Sequence, residues 1–475
     1  MNNNKTIIVW FRQDLRITDN PALFAASQEG QVMPIYILEE NIPEEFNMGS
    51  ASKWWLHYSL IDLNNSLNNN LNIYMGDSIK IINNIIKTNN IAAVYWNRCY
   101  EPWRINIDAN IKQQLIVNNI IVKSFNGSLL WEPWEIFNNN KEPYKIYTHF
   151  YRKAKMQPIL PRKPFATPKK LVLVKDCSNN ININSLGLIS NIKWHKKLES
   201  CWQVGEKIAC KKLINFIANN LAGYKENRNY PNKSATSKLS MHLHFGEISP
   251  NQIWYSINNN KNIKPEDIDC FLSELGWREF SYYLLYHFKD LSHKNFQTKF
   301  NYFPWEYSPK LLEAWQQGKT GYPIIDAGMR ELWQTGYMHN RVRMIVGSFL
   351  VKNLLIDWRY GAAWFWDCLL DADLANNSAS WQWVAGSGAD AAPYFRIFNP
   401  ITQGEKFDKE GNYTRRFVPE LINLPNKYLF KPWEAPDNIL KAANIVLGVN
   451  YPKPIINLEA SRAKALDAYK LIKKL

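Results

Sequence analysis

Five short runs of apolar, mostly β-branched residues alternate with longer amphipathic stretches over the first part of the chain. The runs are TIIVWF (6–11), VMPIYIL (32–38), LNIYM (71–75), IAAVYW (91–96) and IIVKSF (120–125). Continuous apolar runs of this length are typical of buried strands in a parallel sheet, whose two faces are covered by crossover helices. The alternation therefore predicts a doubly wound α/β domain over residues 1–130.

Helix-start signals follow some of these runs. Asn20-Pro21 is typical of a cap followed by proline at the first helical position, and residues 52–67 are amphipathic. Further along, Ser249, Pro250 and Gln252 suit a cap, a first position and a capping-box partner. No GxGxxG follows the first run, so the sequence does not support a dinucleotide site of that kind.

The pattern changes after the predicted α/β domain. Residues 131–200 are rich in Pro and Asn and are predicted to be a connector. From residue 201 to residue 475 the pattern is helical and crowded with tryptophan. We therefore expect an α/β N-terminal domain, a doubly wound parallel sheet, followed by an all-α domain.

The charge balance admits two interpretations. Lys and Arg number 57 against 42 Asp and Glu, a formal net charge of +15. Such an excess suits a polyanionic partner, but Asn, Ile and Lys are abundant together throughout the chain, and a compositional drift also raises the charge. Charge alone therefore favours nucleic acid only slightly.

Cysteine usage and hydropathy indicate a soluble cytoplasmic protein. The six cysteines form no CxxC pair, which is typical of reduced thiols. The N-terminus has no signal peptide, and the longest apolar stretch (344–356) carries Lys352 and is shorter than the ~18 residues of a membrane span.

Several polar clusters are ambiguous when spacing alone is considered. Glu274, Trp277 and Arg278 share one helical face, and an ordinary ion pair beside a core tryptophan explains that spacing best. TSKLS (236–240) suits an anion cradle at a helix start, although such a stretch is more often only a cap. His242 and His244 lack further ligands at suitable spacing, so no metal site is predicted. No HExxH, GxSxG or P-loop is present.

Longer motifs identify a family. VWFRQDLRITDNPAL (9–23), KTGYPIIDAGMREL (319–332), MHNRVRM (338–344), DADLANNSASWQW (371–383) and GADAAPYFRIFNP (388–400) resemble the photolyase/cryptochrome family. The likeness continues to the closing YPKPIINLEASRAKALDAY. Within the family the chain looks most like a class I cyclobutane pyrimidine dimer photolyase. The resemblance implies that the helical domain binds FAD in a U-shaped conformation.

The resemblance also implies roles for individual residues. Asp373 would face a flavin ring N–H, Asp371 would face Arg343, and Asn377 would lie near flavin N5, where a neutral amide is compatible with a reduced, anionic flavin. Trp381, Trp358 and Trp305 would form an electron-transfer chain from the flavin to the surface. The implied cofactor-binding residues are Tyr224, Thr236, Ser237, Lys238, Leu239, Ser240, Arg278, Arg343, Asp371, Ala372, Asp373 and Asn377. The implied DNA- or lesion-binding residues are Arg228, Glu274, Trp277, Asn340, Arg341, Met344, Trp383 and Gln403.

These roles suit light-driven DNA repair, in which reduced FAD donates an electron to a pyrimidine dimer that then splits. Trp277 and Trp383 would cover the apolar faces of a flipped dimer, and Glu274 and Asn340 would bond its polar edges. Glu274 would also stabilise charge that develops on the dimer. Arg341 would hold phosphates. The expected partner is UV-damaged DNA. We expect the protein to be a monomer that does not bind membranes, and no protein partner is evident.

Three rival functions remain to be separated. A (6-4) photolyase would carry two histidines on the helix that here has Asn340 after His339 and Met344 further on. A cryptochrome would signal without repair and often adds a long C-terminal tail, whereas this sequence ends at Leu475 after its last predicted helix. A flavin oxidoreductase would need a nicotinamide site, which nothing in the sequence suggests.

A second, antenna chromophore is left open. Some relatives carry an Asn-Glu pair where this chain has Trp103-Arg104, a histidine at Phe46 and a Cys-Lys pair at Ser292-His293. These departures do not fit the folate-binding pattern. Methenyltetrahydrofolate, a deazaflavin, another flavin and no chromophore all remain open.

Overall fold

The computed structural model describes residues 5–157, 160–176, 180–260, 262–394 and 396–473. The chain divides into two compact units. The first unit comprises Met1–Ala222 and Ser237–Lys289, and the second comprises Gly223–Thr236 and Asp290–Leu475. The three-part division at residues 130 and 200 stays a prediction.

The first unit contains a five-stranded parallel sheet in the order β3-β2-β1-β4-β5. The strands are β1 Thr6–Phe11, β2 Gln31–Glu39, β3 Asn72–Gly76, β4 Ile91–Asn97 and β5 Ile121–Phe125. All five predicted runs are strands, and the crossover order is that of a doubly wound domain. The expectation of burial is wrong for β5, where Ile121 is 52% exposed: this strand lies at one edge of the sheet, and its side chains are only partly covered.

Helices follow the strands along the chain and predominate in the described part of the second unit, as the sequence predicts. In chain order they are α1 Pro21–Glu29, α2 Ser50–Ser66, α3 Ser78–Thr88, α4 Pro102–Val117, α5 Tyr147–Lys155, α6 Lys196–Cys201, α7 Glu206–Asn219, α8 Tyr224–Asn227, α9 Ser240–His244, α10 Pro250–Asn258, α11 Pro265–His287, α12 Pro309–Gln316, α13 Pro323–Thr335, α14 Asn340–Ser348, α15 Trp358–Cys368, α16 Leu374–Ala385, α17 Pro400–Phe407, α18 Asn412–Phe417, α19 Asn426–Leu429, α20 Asp437–Ala442 and α21 Leu458–Lys473.

The predicted helix starts are present. Asn20 caps α1 by accepting from the backbone N–H of Leu23, with Pro21 at the first position. Ser249 and Gln252 form the capping box of α10. These signals are readable in the sequence because a cap contacts only residues within one helical turn.

A buried guanidinium ties the motif after β1 to distant parts of the first unit. Arg16 is 1% exposed and donates to the carbonyls of Asp19, Gly127 and Gly246, with distances of 2.7 to 3.1 Å. Asp19 in turn accepts from Arg162 and from the hydroxyl of Ser249. The FRQDLR motif therefore holds this unit together.

A buried carboxylate plays the corresponding role in the second unit. Asp326 accepts from the backbone N–H of Thr320 at 2.7 Å, from its hydroxyl at 2.6 Å, and from the hydroxyl of Tyr451 at 2.8 Å. Gly321 has φ +77, and a Cβ there would come within 2.5 Å of the Lys453 backbone. The KTGYPIID motif thus docks the segment that begins with Tyr451.

His242 is one of the two histidines considered above as possible metal ligands. Its Nδ1 is hydrogen-bonded to Glu247, and its ring packs edge-on against Trp55 with centroids 5.0 Å apart. Within the ranges described, no three His, Cys, Asp or Glu residues are grouped as metal ligands would be.

The described residues include no helix that is both long and apolar enough to cross a membrane. Five of the six cysteines are free thiols in the structure, and Cys177 lies outside the described residues.

Glu279 on α11 is a buried acid in the first unit. Its Oε2 accepts from the backbone N–H of Leu130 at 2.8 Å and of Trp131 at 3.4 Å, which joins α11 to the segment after β5. Burial raises the pKa of Glu279 to about 7, although Arg278 and the two backbone donors favour the carboxylate. The hydrogen bonds from Leu130 and Trp131 are therefore made to a carboxyl group, that of Glu279, whose pKa lies near neutral pH.

This acid makes stability depend on pH. Because the folded-state pKa exceeds the ordinary value of 4.5, the stabilising contribution is fully present below that value and is lost as the pH rises through 7. We expect Glu279→Gln to remove this pH dependence, so that the free energy of unfolding of the wild type falls by about 2.5 kcal/mol relative to that of the variant between about pH 5 and about pH 8. Urea unfolding over this pH range measures the difference.

The matched control is Glu45→Gln, since Glu45 is exposed. The control should track the wild type at every pH. Parallel stability curves for the wild type and Glu279→Gln would contradict the assignment.

Candidate functional site

The second unit carries most of the predicted site residues on three elements. α14 holds Asn340, Arg341, Arg343 and Met344, the segment before α16 holds Asp371, Ala372 and Asp373, and α16 holds Asn377, Trp381 and Trp383. Tyr224, Arg228, Thr236, Trp305, Trp358 and Gln403 lie elsewhere in the same unit. The first unit carries Ser237, Lys238, Leu239, Ser240, Glu274, Trp277 and Arg278.

α14 begins with a histidine cap. Nδ1 of His339 accepts from the backbone N–H of Arg341 at 3.2 Å, so this nitrogen carries no proton when the cap is formed. The cap sets the start of the helix at Asn340, which is exposed. The predicted DNA contacts Asn340 and Arg341 are thereby placed in the first turn.

Arg343 forms an ion pair with Asp371, as the resemblance implies. Its Nη2 lies 3.0 and 3.1 Å from the two carboxylate oxygens, and its Nε donates to the carbonyl of Met338 at 2.8 Å. Burial opposes the charged guanidinium, but attraction to Asp371 outweighs it and raises the pKa of Arg343. The pair joins α14 to the segment that leads into α16.

Asp373 and Asn377 are both held by hydrogen bonds at the start of α16. Asp373 is the cap, and its Oδ1 accepts from the backbone N–H of Asn376 at 2.8 Å. The amide nitrogen of Asn377 donates to the carbonyl of Ala362 at 3.0 Å. This bond turns the amide oxygen of Asn377 away from Ala362, and among the described residues no donor reaches that oxygen.

The three tryptophans of the predicted chain differ in burial. Trp381 is 3% exposed and Trp358 is 1% exposed, whereas Trp305 is partly buried. Nε1 of Trp358 donates to the side-chain oxygen of Asn295 at 2.9 Å. Trp305 packs on Phe303 with ring centroids 4.4 Å apart.

A glycine seats the innermost of these tryptophans. A Cβ at Gly361 would come within 2.1 Å of the Trp381 ring, so α15 and α16 approach closely at this point. Phe365 and Trp315 pack edge-on against the same ring, with centroids 5.0 and 6.2 Å away. Sequence analysis missed Gly361, Phe365 and Trp315, because no spacing rule links them to Trp381.

Arg341 is held by two residues that the sequence did not indicate. Its Nη2 donates to the side-chain oxygen of Asn229 at 2.5 Å, and its guanidinium carbon lies 4.5 Å from the ring centroid of Phe407. Phe407 ends α17, which also carries Gln403. Asn229 and Phe407 are distant in sequence, and no motif marks either.

The segment Gly223–Thr236 contributes three predicted residues to the second unit. Tyr224 is buried at the start of α8, and the guanidinium carbon of Arg228 lies 5.5 Å from its ring centroid. The hydroxyl of Tyr337 is hydrogen-bonded to the side chain of Thr236, and burial raises the pKa of Tyr337 to about 12.

Residues 237–240 of the predicted anion cradle lie in the first unit, whereas Thr236 belongs to the second. Lys238 has φ +51, a left-handed conformation, and Ser240 is the first residue of α9. The TSKLS stretch therefore does precede a helix, as predicted, although that helix is short. The Lys238 ammonium lies 5.7 Å from the ring centroid of Trp202.

Glu274, Trp277 and Arg278 share a face of α11. Nη1 of Arg278 donates to the carbonyl of Ser128 at 2.8 Å. Trp277 is partly exposed, and one face of its ring is stacked on Tyr147 with centroids 3.8 Å apart. Tyr147 is a further residue that the sequence did not indicate.

These side chains suit binding and electron transfer. The second unit contains the Arg343–Asp371 ion pair, the partly exposed Trp383 and the buried Trp381 and Trp358. The first unit contains the partly exposed Trp277. The roles assigned to the individual residues stay predictions.

Comparison with protein families gives two matches. Residues 7–169 match the family model described as DNA photolyase, and residues 271–471 match the model described as the FAD binding domain of DNA photolyase.

Named relatives cover nearly the whole chain. The chain is 47% identical to the deoxyribodipyrimidine photo-lyase of Agrobacterium fabrum over 98% of both chains. It is 38% identical to cryptochrome-2 of Arabidopsis thaliana over 98% of this chain and 79% of that protein.

Solved structures agree with these relatives. A structure described as a bacterial class III photolyase from Agrobacterium tumefaciens is 47% identical, with a TM-score of 0.95 over 99% of this chain and 98% of that one. An archaeal photolyase from Sulfolobus tokodaii, described with two FAD molecules, is 29% identical, with a TM-score of 0.81 over 98% of this chain and 100% of that one. The chain therefore belongs to the photolyase/cryptochrome family.

Proposed function

We propose that the chain repairs cyclobutane pyrimidine dimers in DNA with light and FAD, through the residues that the family resemblance assigns. One arrangement carries the proposal. The Arg343–Asp371 pair leads directly into a helix that presents Asn377 and the buried Trp381 from successive turns. A charge-compensated polar site followed by a buried indole suits a protein that must both bind a flavin and reduce it.

The residues present fit FAD. The oxygen of Asn377 is an acceptor that no described side chain satisfies, and the bond to Ala362 fixes its direction. An acceptor of this kind suits the N5–H of a reduced flavin. Lys238 and the hydroxyls of Thr236 and Ser240 are the proposed partners of the phosphate and ribose oxygens of FAD.

When bound and reduced, FAD supplies the photoexcited electron that splits the dimer. The protein's part is to keep the reduced form available. Asn377 offers a neutral amide, which does not repel a reduced, anionic ring as a carboxylate would. We assign Trp305, Trp358 and Trp381 to an inward electron relay, since indoles are among the few side chains that an excited flavin can oxidise.

A flipped pyrimidine dimer exposes apolar faces and polar edges, and different side chains are assigned to each. Trp277 and Trp383 are both partly exposed and are the proposed covers of the dimer faces. Glu274 is the proposed partner of charge that develops on the dimer. Arg341, with Arg228 and Gln403, is assigned to phosphate contacts that position DNA without reading its sequence.

The motifs suggest a class I photolyase, but class III is the better supported subclass. The relative with 47% identity over nearly the full chain is described as class III. A cryptochrome-like photoreceptor is the second candidate, because 38% identity to a plant cryptochrome also extends over 98% of the chain.

Several finer points belong to the same proposal. We assign the chain to the cytoplasm as a monomer whose partner is damaged DNA. The second chromophore stays open between a folate, a deazaflavin, another flavin and none. An archaeal relative is described with two FAD molecules, which makes a flavin the first to test. Mass spectrometry of the bound chromophores identifies it.

The first prediction of the proposed function is repair itself. Fully reduced enzyme, mixed with an oligonucleotide that carries one thymine dimer, should remove the dimer under blue light and leave it intact in the dark. Glu274→Ala should lower the yield at least about tenfold if it stabilises developing charge. Persistence of the dimer in the light would defeat the repair function and favour the photoreceptor.

The relay gives a second prediction. Trp381→Phe should slow photoreduction of bound oxidised FAD at least about tenfold, because phenylalanine is much harder to oxidise than indole. The same variant should still repair dimers after chemical reduction. The matched control is Trp433→Phe, whose indole packs on Tyr322 with centroids 5.2 Å apart. Unchanged photoreduction in Trp381→Phe contradicts the relay.

The ion pair gives a third prediction. Arg343→Met leaves Asp371 without its cation, so we expect a loss of about 2 kcal/mol in apoprotein stability and weaker FAD retention on gel filtration. Adding Asp371→Asn to that variant should recover part of the stability, because no unpaired charge remains. Lys470→Met, which breaks an exposed pair with Asp467, should change stability by less than about 0.5 kcal/mol. Equal losses in the single and double variants would argue against charge compensation.

A further inference from the structure

Three aromatic rings and a cation form a stacked column in the first unit. Trp277 stacks on Tyr147 with centroids 3.8 Å apart and an interplanar angle of 12°. Tyr147 stacks on Tyr151 at 5.4 Å and 13°. The ammonium of Lys155 lies 4.6 Å from the centroid of the Tyr151 ring. The column is therefore closed by a cation at the end opposite Trp277.

Helix α5 supplies all of the column except Trp277. Tyr147, Tyr151 and Lys155 are spaced four residues apart, which puts them on one face of α5. The hydroxyl of Tyr147 donates to the carbonyl of Ser273 at 2.7 Å, which docks the column on α11. This ring is therefore fixed at both its edge and its face.

A glycine in α11 makes room for the column. A Cβ at Gly276 would come within 2.6 Å of Cε2 of Tyr151 and 2.8 Å of the Tyr147 hydroxyl. A side chain at this position would have to displace one of the two rings. Glycine inside a helix is unfavourable by itself, so its presence fits the close approach.

The stack leaves Trp277 with one face for another partner. Tyr147 covers the other face at contact distance, yet the indole is partly exposed. A ring that is already held in place loses less rotational freedom when a ligand binds to it. Ordering one such side chain in advance raises the affinity for that ligand about three- to tenfold.

We propose that Tyr147 is a positioning residue for lesion recognition, which fixes the Trp277 ring so that its free face meets the damaged bases. This inference rests on the proposed role of Trp277 as a lesion contact. Tyr147 acts only through Trp277, and Tyr151 with Lys155 supports Tyr147 from behind.

A double-mutant cycle on the full chain with FAD bound tests this inference. The measured quantity is lesion discrimination, the ratio of the dissociation constants for an undamaged oligonucleotide and for the same oligonucleotide with one thymine dimer. Tyr147→Leu should lower this ratio about three- to tenfold, whereas Tyr147→Phe, which keeps the stacked ring, should leave most of it. In a Trp277→Leu background, Tyr147→Leu should cause no further loss.

A matched control and a second variant keep the test decisive. Tyr286→Leu removes a ring of α11 that packs on Trp134, and it should leave discrimination unchanged. Gly276→Ala retains every ring but intrudes on the column, so it should reduce discrimination as Tyr147→Leu does. It replaces that variant if Tyr147→Leu fails to fold, as judged by circular dichroism.

Specific outcomes would overturn the inference. An equal loss from Tyr147→Leu in the wild-type and Trp277→Leu backgrounds would show a general structural effect, and no loss in the wild type would show no role. If the wild type does not discriminate damaged from undamaged DNA, the proposed function fails as well. If the wild type discriminates and Trp277→Leu does not reduce the ratio, only the role of Trp277 and this inference fail.

Discussion

Compensation of buried charge is the constraint on which the site in the second unit depends. The Asp371 side chain is 6% exposed and Arg343 is 24% exposed, and neither charge is stable at such a position without a partner. Their pairing fixes the start of α16 relative to α14. Several of the side chains assigned to the flavin or to DNA lie on these two helices, namely Asn340, Arg341, Met344, Asn377 and Trp383. One ion pair thus sets the frame for both tasks.

Close approach at glycine is the second recurring device. Gly361 lets the Trp381 ring lie against α15, and Gly276 lets two tyrosine rings lie against α11. In both places a missing side chain allows a large aromatic ring to be held tightly. Tight packing matters because an indole that relays electrons or stacks on a base needs a fixed position. The many aromatic residues of the chain are therefore useful only with the small residues beside them.

The motifs that identify the family divide into two kinds. FRQDLR and KTGYPIID hold the fold, since Arg16 and Asp326 are buried and bonded to backbone or to Tyr451. MHNRVRM and DADLANNSASWQW instead present partly exposed polar and aromatic side chains. The structure separates the residues that are needed for folding from those that are available to a ligand.

The order of residues alone was enough to predict the strands, the caps of α1 and α10 and the helical character of the second unit. These features depend on contacts within a few residues, and such contacts leave a period or a local motif. The folded chain was needed to show that Tyr147 covers Trp277, that Asn229 and Phe407 hold Arg341, and that β5 is exposed at the edge of the sheet. These partners are far apart along the chain, and their meeting depends on how whole elements pack. Packing of that kind has no local signature in the order of residues.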